Sequence, residues 1–208
     1  MNNIFTQYNR RIGIASCMAT LIVSIAYVIV TIGWVTLSTE LFLVGMEVVS
    51  MLAGLVVVTL MSSVYLYSSV ENKQTSLIAL LFTTCFSILT IVNHFLYLIV
   101  LRPMAAQTSV ISSVFGLTHW PSITLGVDYV AWGLFLGLGL IFSSPAFKGN
   151  LTKTALRFVF LICGLLCIIG FFGLALGGQL YWFIAVGGYG IGFFVISILL
   201  TKIFLANR

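Results

Sequence analysis

Residues 76–101 read SLIALLFTTCFSILTIVNHFLYLIVL. Apart from His94, the stretch holds no acidic or basic side chain. A helix rises about 1.5 Å per residue, and about 20 apolar residues cross a bilayer core. The segment is long enough to span a membrane, and its composition suits no solvated helix. Five other stretches share the pattern: Ile12 to Thr36, Leu41 to Tyr67, Ile123 to Phe142, Ala155 to Gly177 and Leu180 to Phe204. The expected fold is therefore an all-α integral membrane protein, a six-helix transmembrane bundle forming one domain over residues 1–208.

Composition agrees. The chain is 61% hydrophobic and only 6% charged, whereas soluble domains carry about a quarter charged residues. The run from Ile12 to Thr36 is too long for the apolar region of a cleavable signal, about 7–15 residues, so it reads as a first span. The four cysteines, Cys17, Cys85, Cys163 and Cys167, all sit in apolar runs. Without CxxC spacing they read as small packing residues.

Polar breaks separate the spans. Ser38-Thr39-Glu40 and Gly177-Gly178-Gln179 read as tight turns, Glu71-Asn72-Lys73-Gln74 as a short charged loop, and Pro145 with Lys148-Gly149-Asn150 as the stop of the fourth span. With a cytoplasmic N-terminus, the inside holds Arg10, Arg11, Lys73, Lys148, Lys153, Arg157, Lys202 and Arg208, and the outside only Arg102. The positive-inside rule then gives N-in, C-in topology, and the expected location is the plasma membrane. These bases fall between apolar runs and form no patch with interleaved aromatics, so nucleic acid is not an expected partner. The lipid bilayer is.

One connection is long. Arg102 to Ser122 lies outside in this topology and is apolar, with Val110, Ile111, Val114 and Phe115 at helical spacing. It reads as a short helix on the outer interface or a lid above a pocket.

Glu47, His94 and Asp128 interrupt three different spans. Each lies six to eight residues from the outer end of its helix, roughly 9–12 Å deep. Ionisable groups in hydrocarbon are costly and mark functional sites by default. On the third span Thr83, Ser87, Thr90, His94 and Tyr97 form one stripe, flanked by Asn93; on the first, Ser16, Thr20, Ser24, Tyr27, Thr31 and Trp34 form another. Glu47 shares a face with Ser50 and Gly54, and Asp128 with Trp132 and Phe135. Either the hydroxyls cement neighbouring helices, or the stripes line an outward-opening polar cavity. The candidate ligand- or ion-binding residues are Glu47, His94, Asp128, Asn93, Tyr97 and Trp132, with His119 above them in the long loop.

No motif specifies a cofactor or a catalytic residue. Neither HExxH nor GxSxG is present, and no metal site is expected. The leading expectation is a protein that binds a small ligand, ion or proton for transport or sensing. The alternatives are a membrane-embedded hydrolase or other enzyme using His94 with Glu47 or Asp128, and an accessory subunit of a larger complex. The last two spans carry Gly173, Gly177, Gly188 and Gly192 in small-xxx-small patterns. These read as tight packing within the chain, with a seam for a second copy or a partner helix as the sharper alternative.

Overall fold

The computed structural model describes residues 5–105, 107, 109–116, 120–176 and 181–206. Among them every regular element is helical. Six helices are long and apolar enough to cross a membrane: α1 (Gln7–Leu37), α2 (Glu40–Tyr67), α3 (Val70–Met104), α5 (Ile123–Ala146), α6 (Leu151–Leu174) and α7 (Phe183–Ala206). They fit a multi-pass membrane protein. A short helix, α4 (Ser109–Phe115), lies in the long connection where the apolar spacing predicts one. Helices suit this composition because all their backbone polar groups are satisfied internally, as hydrocarbon requires.

Polar residues set the ends. Thr6 Oγ1 accepts from the Asn9 N–H at 3.2 Å, Ser122 Oγ from Leu125 N–H at 3.1 Å, and Asn150 Oδ1 from Lys153 N–H at 3.0 Å. Ser38 closes α1 in the left-handed region (φ 50°). The expected charged loop at 71–74 is instead helical, since α3 already starts at Val70. The reason is Lys73: its ammonium turns back onto the end of α2 and donates to the Tyr65 carbonyl at 2.7 Å. A cation there satisfies carbonyls that the helix leaves open.

The six long helices form a closed ring. α1 packs on α2, α2 on α3, α3 on α5, α5 on α6 and α6 on α7, and α7 returns to α1. The interior is filled by Leu60, Met61, Phe86, Leu136, Leu140, Leu156, Phe160, Ile196 and Leu200, all fully buried. The outer surface is also apolar: Ile22, Leu55, Ile88, Ile162 and Ile191 are each more than half exposed. A bundle apolar inside and out suits lipid as its solvent.

The ring has two unlike ends. The loop end carries α4 and the pairing of Arg102 with Glu40 across α3 and α2. The basic end carries Arg10, Arg11, Lys73, Lys148, Lys153 and Lys202.

Glycine lets α5, α6 and α7 approach closely. A methyl group on Gly188 would lie 2.8 Å from the Cys163 carbonyl oxygen, and one on Gly164 would lie 2.7 Å from that of Gly137. Gly173 faces the Tyr181 ring and Gly192 the Cys163 side chain. These glycines face the chain's own helices, whereas Gly177 lies outside the described residues.

Candidate functional site

α2, α3 and α5 are consecutive in the ring, and each brings one ionisable side chain to the same level. His94 lies between the other two. Its Nδ1 is 2.6 Å from Glu47 Oε2, and its Nε2 is 3.0 Å from Asp128 Oδ1. The first contact is a hydrogen bond. The second is at ion-pair distance, but neither atom makes an aligned hydrogen bond. Burial is graded along the line: Glu47 is 0% exposed, the His94 side chain 4% and the Asp128 side chain 18%. Asp128 is thus the group through which the cluster meets its surroundings.

Counting protons limits the charge of this trio. A neutral imidazole has one N–H donor, and each carboxylate only accepts. With the proton on Nδ1 facing Glu47, the Nε2 lone pair would face Asp128 Oδ1 at 3.0 Å. Relieving that repulsion takes a second proton, on Nε2 or on a carboxyl group. An imidazolium between two carboxylates and an imidazole between one carboxylate and one carboxylic acid both carry a net charge of −1. One further proton, or one monovalent cation, makes the trio neutral. Glu47 Oε1 is buried and has no hydrogen-bond partner among the described residues.

The same geometry argues against two other chemistries. The carboxylates contact opposite nitrogens of the imidazole and so form no ready-made chelate for a divalent metal. Among the described residues no three His, Cys, Asp or Glu side chains are grouped to hold a metal. Both ring nitrogens face carboxylates, which leaves neither to activate a serine in the manner of a hydrolase.

The other expected site residues are placed as follows. Asn93 turns away from His94 and donates to the Thr124 carbonyl at 3.1 Å. Thr124 Oγ1 in turn donates to the Phe115 carbonyl at 2.8 Å. Asn93 therefore ties α3 to the start of α5, and Thr124 ties that start to α4. Tyr97 is buried in a π-helical turn, Tyr97–Leu101. Trp132 is buried in a second, Val130–Phe135. His119 lies outside the described residues.

Trp132 belongs to an aromatic cluster that the sequence reading missed in part. Its ring centroid is 4.6 Å from Tyr189, 4.8 Å from Phe86 and 5.7 Å from Tyr27. The Tyr27 and Tyr189 hydroxyls approach to 3.4 Å. Tyr189 occupies a third π-helical turn, Gly187–Ile191. Such turns widen a helix locally, and they recur at functional sites. Tyr189 sits among four glycines, and the small-residue pattern drew attention to backbone packing. The available signal was a phenol between Phe183 and Ile196, where no other side chain is polar.

The hydroxyl stripes of α1 and α3 face the bundle interior, and Tyr27 reaches Tyr189 across it, but three of the aliphatic hydroxyls bond within their own helix. Ser16 Oγ donates to the Ile12 carbonyl at 2.8 Å, Thr20 Oγ1 to Ser16 at 2.8 Å and Thr83 Oγ1 to Ala79 at 3.0 Å. Each bonds its own preceding turn. Beside them, Thr20, Ser24, Tyr27, Trp132 and Tyr189 help line a cavity of about 20 Å³, room for about one water.

No family model, curated protein or solved structure matches this chain.

Proposed function

We propose that this chain is a multi-pass plasma-membrane protein, N-in and C-in, that takes up a proton or a small monovalent cation from outside at Asp128, His94 and Glu47, for transport or sensing. The observation that carries this reading is the graded line of carboxylate, imidazole and carboxylate, with one end partly exposed and the other fully buried. The orientation rests on the basic residues, eight on one side against Arg102 on the other. On that orientation the loop end faces outward.

The chemistry follows from the net charge. A trio at −1 in a low-dielectric interior favours a neutralising cation. A proton arriving at Asp128 has the His94 Nε2 within 3.0 Å, and an imidazole can take a proton at one nitrogen and release one from the other. Glu47, through His94, is the inner acceptor.

The test replaces Glu47 with Gln and Asp128 with Asn together. Amides keep the size and hydrogen-bonding capacity and remove the negative charge. The wild-type protein in liposomes is expected to change thermal stability with pH, or on adding Li⁺, Na⁺ or K⁺. The double variant is expected to insert, purify and lose that response. A double variant that keeps the full response would overturn the proposal.

A further inference from the structure

A second site lies at the basic end, far along the helices from His94. The end of α2, the start of α6 and the end of α7 surround a cavity of about 190 Å³, lined by Tyr67, Asn150, Thr152, Lys153, Lys202 and Ile203 together with Ala206. We propose that this cavity binds a phosphate group, that of an anionic phospholipid headgroup.

Three independent features favour an anion with oxygen acceptors. Two lysines from different helices line the cavity, and among the described residues no carboxylate does. Among the described residues neither Lys153 nor Lys202 makes an ion pair. Their charges therefore add without local compensation. The floor is aromatic and rigid: Tyr67 stacks on Phe147 at 5.9 Å and meets Phe5 and Phe204 edge-on at 5.4 and 5.6 Å. Lys153 Nζ rests 5.4 Å from the Tyr67 ring centroid, so its stem is already positioned at the wall. Finally, the cavity opens at the first turn of α6, where Asn150 satisfies the Lys153 N–H and the preceding amides of Leu151 and Thr152 have no helical partner.

The place in the fold favours a lipid as the phosphate's source. The cavity sits where three membrane-length helices end, the level at which headgroups lie. Basic pockets between spans at the cytoplasmic side are suited to anionic headgroups. Exposed Phe158 and Ile162 on α6 belong to the apolar outer surface of the bundle, on which acyl chains can lie.

The test uses the full-length protein in neutral detergent micelles, which carry no membrane surface potential. Native mass spectrometry with added phosphatidylglycerol, phosphatidylcholine or inorganic phosphate reads occupancy directly. Phosphatidylglycerol is expected to be retained over phosphatidylcholine. Lys153→Gln and Lys202→Gln are each expected to weaken that retention about fivefold. Lys148→Gln, an exposed lysine at the same end that does not line the cavity, is expected to change nothing. Competition by inorganic phosphate at equal concentration would assign the affinity to the phosphate alone, and failure to compete would add a contribution from the acyl chains. Equal retention of both lipids, or an equal loss in Lys148→Gln, would overturn the proposal. None of these readouts depends on Glu47, His94 or Asp128.

Discussion

Two sets of polar side chains face the interior of this bundle, and they solve the cost of burial in opposite ways. Ser16 and Thr20 of α1 and Thr83 of α3 bond backwards onto their own helices, at 2.8, 2.8 and 3.0 Å. Glu47, His94 and Asp128 instead reach across from three helices and meet one another. A hydroxyl has one donor and finds an acceptor one turn away. A carboxylate has only acceptors, and the turn before it offers no free donor. Ionisable groups are therefore forced into tertiary contacts, and those contacts fix the rotation and height of α2, α3 and α5 relative to one another. The hydroxyl stripes impose no such register.

The largest expected effect is the loss of the bridging imidazole. His94→Ala leaves Glu47 fully buried beside no partner, and breaking a buried pair this way costs about 3–5 kcal/mol. Adding Glu47→Gln to that variant is expected to recover a large part of the loss, because the unpaired charge is gone. Equilibrium unfolding in detergent measures both. Equal stability of His94→Ala and the double variant would break the contrast drawn above.

Asn93→Ala comes next. It removes the amide donor to the Thr124 carbonyl, and a hydrogen bond of this kind contributes about 1 kcal/mol. The sharper readout is functional. If Asn93 holds Asp128 in register, the pH response of the site weakens in this variant, whereas Asn93→Asp, which cannot donate when ionised, fails to restore it. A pH response indistinguishable from wild type would leave Asn93 a general brace between α3 and α5.

The smallest effect is expected from the stripes. Thr20→Val and Thr83→Val keep the shape and delete a bond that each helix makes to itself; cross-helix bonds in membranes average only about 0.6 kcal/mol, and these are not cross-helix. Their melting temperatures should stay close to wild type. A loss as large as that of Asn93→Ala would show that the hydroxyls bear on helix packing after all.

Much of the architecture was legible in the chain. Uncharged runs such as residues 76–101 reach a membrane's thickness, and hydrocarbon leaves the backbone few options, so six helices and the short helix at 109–115 followed from composition and spacing alone. The common level of Glu47, His94 and Asp128 along their helices followed from counting residues. Their contact did not, because depth is a one-dimensional quantity and helix rotation is not written in any single span. The same holds for the ring order, in which α7 closes onto α1, and for the glycines, whose neighbours depend on which helix lies opposite. Asn93 illustrates the limit: its position beside the stripe placed it near His94, but only the approach of α5 gave it the Thr124 carbonyl. Tyr189 and the cavity at Lys153 and Lys202 likewise arise from residues more than forty positions apart. Periodicity determines what a helix can bury; the partner it meets is decided by packing.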